Sequence, residues 1–141
     1  MFPSRFAVAL SERQVPSRGR ILVADDEPHI RRILTTLFES ADFAVDAVED
    51  GRAACERLEG STPYVMAVMD IMMPEATGLE VLASLKGLRH REELPVVILT
   101  AKGQDADRTA ALEGGARAFL TKPFSPKKLL ARVDQIMIEA S

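Results

Sequence analysis

The chain has 141 residues, enough for one domain with a buried core, and its 47% hydrophobic and 28% charged residues are typical of a soluble globular protein. A formal net charge of -3 gives no electrostatic reason to expect a nucleic acid or an anionic membrane as partner. One cysteine excludes an internal disulfide and, with two histidines, leaves too few ligands for a structural zinc site. No apolar run approaches the ~20 residues that span a bilayer, and the first residues lack the apolar core of a secretory signal. We therefore expect a cytoplasmic protein.

Residues 1–19 differ in composition from the rest of the chain. Prolines, serines and a glycine interrupt them without a strong periodicity. This composition predicts a flexible N-terminal arm, followed by a single domain over residues 20–141. The spacing of Phe2, Phe6 and Leu10 also allows a short docking helix.

From residue 20 onward, apolar strand-like runs alternate with helix-like segments. The predicted strands cover residues 20–24, 43–48, 65–69, 95–99 and 118–121. Four predicted helices cover residues 28–40, 51–59, 105–113 and 125–140, and another, after a loop through Pro74 and Gly78, carries Val81, Leu82, Leu85 and Leu88 inward. Asp50 and Ser125 are the expected N-caps of two of these helices. Continuously apolar strands that alternate with helices predict a doubly wound α/β fold. Its five-stranded parallel sheet is expected to have the flavodoxin-like order 2-1-3-4-5.

The predicted helix at 105–113 differs from the others in its apolar face. That face is expected to consist mostly of the alanines Ala106, Ala110 and Ala111. Since alanine buries little apolar area, this helix should be held only weakly against the core.

Four predicted strands are followed by residues that carry chemistry. These residues are Asp25, Asp26, Asp70, Thr100 and Lys122. Because ligands of such folds bind at the carboxyl ends of the strands, we expect these side chains to lie close together. Two like charges about 4 Å apart repel by roughly 4 kcal/mol at an effective dielectric near 20, so a clustered set of carboxylates favours a cation site. If Glu27 points elsewhere, three carboxylates and one ammonium leave a charge that a divalent ion such as Mg²⁺ balances.

Each of these residues also has an ordinary structural explanation. The acids from Asp25 to Glu27 can serve as helix N-caps, Asp70 can be a turn residue, and Lys122 can be a solvated loop lysine. Thr100 alone says little. Their joint placement is what favours a functional site.

Several motifs resemble the receiver domains of bacterial response regulators. They are Ile21-Leu-Val-Ala-Asp-Asp-Glu, Val68-Met-Asp-Ile-Met-Met-Pro, Gly78-Leu-Glu, Leu99-Thr-Ala and Phe119-Leu-Thr-Lys-Pro-Phe. The resemblance covers roughly residues 20–139 and implies a phosphorylation switch of a two-component system, in a stand-alone receiver of the chemotaxis type. It implies that Asp70 accepts a phosphoryl group from a phosphohistidine of a sensor histidine kinase or a phosphotransfer protein. On this basis the protein is expected not to be an enzyme beyond phosphotransfer to its own Asp70 and autodephosphorylation.

The resemblance also implies roles for the residues around Asp70. Mg²⁺ would be held by Asp25, Asp26, Asp70 and the Met72 carbonyl. Lys122 would neutralise the phosphoryl group and Thr100 would donate its hydroxyl to that group.

The switch and the control of hydrolysis are implied in the same way. Thr100 and Phe119 would form the switch, although Phe119 lacks the phenolic hydroxyl of the tyrosine often found at this position. The bond before Pro123 would be cis. Met72 and Lys102 would govern how water reaches the phosphoryl group.

The expected output is protein docking. The chain ends soon after the last predicted helix, so we expect no DNA-binding output domain and no nucleic-acid or membrane contact. A downstream protein is expected to dock on the face made by helix 105–113, the Phe119 strand and helix 125–140. A homodimer is compatible with this expectation. The alternatives are a phosphorelay intermediate and a receiver-like binding module that works without phosphorylation. A haloacid-dehalogenase-type phosphatase is disfavoured because Met72 stands where it needs a second acid, and an FMN carrier because acids fill its phosphate loop.

Overall fold

The computed structural model describes residues 16–101 and 105–140. Its strands are β1 (Arg20–Ala24), β2 (Ala44–Val48), β3 (Met66–Met69), β4 (Val96–Thr100) and β5 (Ala118–Thr121). Its helices are α1 (Pro28–Ser40), α2 (Gly51–Glu59), α3 (Gly78–Ser84), α4 (Asp105–Glu113) and α5 (Pro126–Ala140). The predicted alternation of strands and helices is confirmed.

The five strands form one parallel sheet in the order β2-β1-β3-β4-β5, as predicted. The register sets Ala24 beside Met69 and Thr100 beside Thr121. The residues that directly follow these strands therefore emerge at one edge of the sheet.

The core has two layers because side chains of a strand alternate between the faces of the sheet. Leu22 and Ala24 belong to the layer under α2, α3 and α4. Ile21 and Val23 belong to the layer under α1 and α5. Buried residues on both faces explain why the strands are apolar throughout.

The helix that was predicted to carry Val81, Leu82, Leu85 and Leu88 ends earlier in the structure. α3 ends at Ser84, and two 3-10 turns follow at Leu85–Gly87 and Arg89–Arg91. Gly87 is a weak helix former, which is consistent with the early end of the α-helix. Of the two predicted caps, Asp50 accepts a hydrogen bond from the Ala53 N–H at 2.7 Å and Ser125 accepts one from the Lys128 N–H at 3.2 Å.

The predicted inner face of α4 is wrong in detail. Across the described residues of this helix burial is confined to Ala111, while Ala106 and Ala110 are exposed. Burying an alanine side chain contributes little free energy because its apolar area is small. A pattern of alanines therefore does not define which side of a helix faces the core. The expectation that few apolar side chains hold α4 is confirmed.

Part of the predicted arm is described. Arg18 donates to Asp134 at 2.6 Å and to the Ala41 carbonyl at 3.2 Å, and its guanidinium lies 4.3 Å from the centre of the Phe43 ring. Contacts with the domain thus include residues before position 20. Residues 1–15, and with them the docking helix considered for Phe2, Phe6 and Leu10, lie outside the described residues.

Within residues 16–101 and 105–140, none of the helices has the length and apolar content needed to cross a membrane.

Candidate functional site

Three polar residues at the carboxyl edge of the sheet are buried. Asp25 is 1% exposed, Asp70 4% and Thr100 1%. The Asp70 N–H donates to the Ala24 carbonyl at 3.0 Å, which joins the loop after β3 to the end of β1. Buried carboxylates are costly unless a positive or hydrogen-bonding group faces them.

Lys122 supplies that group. Its ammonium lies 2.7 Å from Asp25 Oδ2 and 2.8 Å from Asp70 Oδ2. Its backbone N–H donates to the Thr100 carbonyl at 2.8 Å, so the ends of β4 and β5 hold the lysine in place. The structure therefore brings Asp25, Asp70, Thr100 and Lys122 together, as predicted.

Glu27 also belongs to this cluster. The condition that Glu27 points elsewhere is not met, because its Oε1 lies 2.7 Å from the Lys122 ammonium. Counting Asp26, which is exposed beside it, four carboxylates face one ammonium and leave a net charge of -3. The position of Glu27, third in an acidic run after β1, was the only sequence signal for this contact.

The ion contacts and burial shift three pKa values. Burial raises the pKa of Asp25, although hydrogen bonds from Lys122 and the Glu27 N–H partly offset it. The hydrogen bond from Lys122 lowers the pKa of Glu27. Burial acts to lower the pKa of Lys122, but its bonds to Asp25, Asp70 and Glu27 outweigh burial and raise that pKa. Lys122 is therefore a permanent cation at neutral pH.

The four acids fit a hard divalent cation. Asp25, Asp26, Glu27 and Asp70 each offer a carboxylate oxygen, and these oxygens lie within 4.8 Å of one another. Oxygen donors of this kind are those that Mg²⁺ prefers. Met72, the remaining predicted ligand, lies beside them, since its N–H donates to Asp70 Oδ1 at 3.2 Å and its side chain is exposed.

The predicted switch residues lie on neighbouring strands. Phe119 is only 4% exposed and packs in the core layer under α2, α3 and α4. The guanidinium of Arg108 lies 5.0 Å from the centre of the Phe119 ring, a contact that no sequence pattern predicted. The Lys122–Pro123 bond is cis, as expected. Lys102 lies outside the described residues.

The loop after Asp70 packs closely on its own backbone. A Cβ at Gly78 would stand 2.3 Å from the Asp70 carbonyl oxygen, so only glycine fits there. The Gly78 N–H donates to the Ile71 carbonyl at 2.9 Å, and Thr77 and Glu80 form a capping box at the start of α3. This packing fixes the backbone that carries Asp70.

Comparison with known proteins assigns the family. A family model described as the response regulator receiver domain matches residues 21–134, and the chain belongs to this family. It is 37% identical over 123 residues to the transcriptional regulatory protein ResD of Bacillus subtilis (strain 168), covering 86% of this chain and 49% of that protein. It is 43% identical over 114 residues to TcrA of Mycobacterium tuberculosis (strain ATCC 25618 / H37Rv), covering 81% and 44%. The solved receiver domain of the Francisella response regulator 1452 has a TM-score of 0.79 and 30% identity, covering 86% of this chain and 98% of that one.

The assignment makes this chain a receiver domain of the two-component response regulators. Receiver domains generally bind Mg²⁺, and the acidic cluster here is consistent with that property. The chain spans about half the length of the curated relatives it matches, which are transcriptional regulators. The expected absence of nucleic-acid contact and the stand-alone organisation therefore stay predictions.

Proposed function

We propose that this receiver domain is a phosphorylation-dependent switch that takes a phosphoryl group from the phosphohistidine of a sensor kinase or phosphotransfer protein onto Asp70. The observation that carries the proposal is the contact of the Lys122 ammonium with Asp70 Oδ2, inside a buried acidic cluster at the carboxyl edge of the sheet. Phosphoryl transfer depends mainly on positioning and charge neutralisation, and the Lys122 contact supports the first and part of the second.

The chemistry assigned to the chain is a single displacement. A carboxylate oxygen of Asp70 attacks phosphorus, the P–N bond of the phosphohistidine breaks, and the imidazole nitrogen leaves with the electron pair. The N–H of Met72, 3.2 Å from Asp70 Oδ1, orients the carboxylate. Before the transfer, the Lys122 ammonium donates to Asp70 Oδ2. When the phosphoryl group arrives, the ammonium binds one of its negatively charged oxygens instead. Thr100 donates its hydroxyl to another of these oxygens.

Asp25, Asp26, Asp70 and the Met72 carbonyl would hold Mg²⁺, and Glu27 lies close enough to influence it. When bound, the ion neutralises negative charge on the carboxylates and on the phosphoryl oxygens. Dephosphorylation is a hydrolysis that consumes one water molecule. The water attacks phosphorus, the bond between phosphorus and the Asp70 oxygen breaks, and phosphate leaves while Asp70 regains its carboxylate. We propose no reaction on any other substrate.

The signal is proposed to leave through the face formed by α4, the Phe119 strand and α5, where a downstream protein docks. Support comes from the sparse burial of α4 and from the burial of Phe119 next to it, since weakly held elements are those that move in two-state changes. Docking of a protein partner, rather than contact with a nucleic acid, is part of this proposal.

The test is the intact mass of the protein after incubation with Mg²⁺ and acetyl phosphate. The wild type should gain the mass of one phosphoryl group, and Asp70→Asn should gain none. Hydroxylamine should remove the added mass, because it cleaves acyl phosphates. Glu56→Gln, which changes an exposed acid of α2, is the matched control and should be labelled normally. Absence of labelling in the wild type would overturn the proposal in favour of a receiver-like module that binds partners without phosphorylation.

A further inference from the structure

Arg108 covers the outer side of a buried aromatic ring. Its guanidinium lies 5.0 Å from the centre of the Phe119 ring, within the distance at which a cation is attracted to a π face. Phe119 belongs to β5 and Arg108 to α4. The contact therefore adds a side-chain link between the helix and the strand.

Few side chains of α4 are buried against the core. Ala111 is the residue of this helix that is buried, one turn after Arg108, so both point to the same side of the helix. Leu112, the bulky apolar residue of the helix, is 46% exposed. A contact of the Arg108–Phe119 kind shifts an equilibrium by about two- to fivefold, which is a large effect on so lightly packed a helix.

The ring itself has no polar group that favours solvent. Phe119 is 4% exposed and has no hydroxyl that could form a hydrogen bond outside the core. Phe119 also lies two residues before Thr121, which is in register with Thr100. The strand that carries the ring is thus paired directly with the strand that ends at Thr100.

We propose that Arg108 is a positioning residue that holds Phe119 in its inward orientation and links the position of α4 to that of the ring. The link between ring and helix is a property of the protein before any phosphorylation. Its regulatory consequence rests on the function proposed above: when Asp70 is phosphorylated, α4 and the Phe119 strand respond as one unit.

The experiment is a double-mutant cycle on the whole chain, with amide hydrogen exchange of α4 as the readout. The variants are Arg108→Gln, Phe119→Leu and their combination. Arg108→Gln should raise exchange in α4 by about two- to fivefold in the presence of Phe119 and should have little effect in the Phe119→Leu background. Equal effects in both backgrounds, or no effect in either, would overturn the proposal, because the loss would then not depend on the ring.

Three further variants test whether the effect depends on the aromatic ring and on the positive charge at position 108. In a Phe119→Tyr background, which retains an aromatic ring, Arg108→Gln should again raise exchange, and its failure to do so would contradict the proposal. Arg108→Lys should restore part of the protection since an ammonium also binds π faces. Arg117→Gln removes a positive charge from the residue just before β5 without touching the ring and should leave α4 unchanged.

A second measurement separates this proposal from the proposed function. Beryllofluoride with Mg²⁺ should change exchange in α4 and in residues 117–121 at the same midpoint in the wild type, and at distinct midpoints or amplitudes in Arg108→Gln. Identical joint responses in both proteins would overturn the regulatory part. If the wild type does not bind beryllofluoride, the phosphorylation proposal fails, whereas the double-mutant cycle still decides the role of Arg108.

Discussion

The ammonium of Lys122 lies 2.8 Å from Oδ2 of Asp70, although 52 residues separate the two in the chain. The same ammonium bridges Asp25 and Glu27, so one lysine neutralises only part of the negative charge of its neighbours. A divalent cation would neutralise the remaining negative charge. Lys122 could then leave a carboxylate and bind the phosphoryl group.

Mg²⁺ should stabilise the fold by mass action. A ligand at ten times its Kd adds about 1.4 kcal/mol to the free energy of unfolding when it binds only the native state. The melting temperature should therefore rise with millimolar MgCl₂, and rise less in Asp26→Ala. Glu56→Gln removes an acid outside the cluster and should behave as the wild type. An equal rise in Asp26→Ala and the wild type would exclude Asp26 from the metal site.

Glu27 should slow the step in which the Lys122 ammonium leaves its carboxylate partners and binds the phosphoryl group. Glu27→Gln removes one of three charged partners, so at saturating Mg²⁺ labelling by acetyl phosphate should be about two- to fivefold faster. Affinity for Mg²⁺ should fall because the cluster loses one negative charge. Glu59→Gln, an exposed acid at the end of α2, is the control. Slower labelling at saturating Mg²⁺ would instead identify Glu27 as a group that the transfer needs.

The ion pair should also be visible in the titration of Glu27. Its lowered pKa has the Lys122 hydrogen bond as its main cause. In Lys122→Met the pKa of Glu27, followed by NMR, should therefore move up toward the ordinary glutamate value. A lowered carboxyl pKa adds stability above the unfolded-state value and loses it as the pH falls, so the contribution of Glu27 to this acid loss should shrink in the variant. A Glu27 pKa that stays low without Lys122 would contradict the pairing.

Met72 should control the lifetime of the phosphoryl group. Its side chain is 57% exposed next to Asp70, where it can obstruct water without contributing to the buried cluster. Exchanging Met72 for a polar residue of different size should change the rate of dephosphorylation severalfold, while labelling of Asp70 persists. We make the same prediction for Lys102. Unchanged lifetimes in both variants would show that water access is determined elsewhere.

The output face should respond to beryllofluoride. Hydrogen exchange with and without beryllofluoride and Mg²⁺ should change in residues 105–121 and in α5, because α4 is sparsely buried and lies beside the Phe119 strand. A change confined to α1 and α2 would place the output on the other elements and refute the proposed docking face.

Arg91 should contribute to stability through the end of α2. This buried side chain donates to the carbonyls of Leu58 at 2.9 Å and Gly60 at 3.0 Å, and it lies over the Tyr64 ring. Arg91→Leu removes these charge-assisted hydrogen bonds, although Nε2 of His90 also lies 3.1 Å from the Leu58 carbonyl and 2.9 Å from that of Gly60. The loss of a buried, hydrogen-bonded guanidinium should lower the free energy of unfolding by about 1–3 kcal/mol in urea denaturation. Arg89→Leu, the exposed neighbour, should change it little. Equal losses in the two variants would mean that charge, not the hydrogen bonds, matters here.

Much of the fold and the main site could be predicted from local patterns. Apolar runs and helical periodicity located the five strands and five helices, and the rule that parallel strands present their carboxyl ends together placed Asp25, Asp70, Thr100 and Lys122 at one edge. The extent of α3 and the rotation of α4 could not be predicted, because each depends on weak local preferences that tertiary packing overrides.

Local sequence patterns suffice to predict the order of the elements and the edge of the sheet at which the acids and the lysine meet, since backbone alternation and topology require no side-chain detail. Three contacts are visible only in the folded molecule: Glu27 shares Lys122, Arg91 caps α2 and Arg108 lies over the Phe119 ring. Each of these contacts joins a charged side chain to a group that lies far from it in the chain. A long charged side chain has many rotamers of similar energy, and the contacts available in the folded molecule select among them.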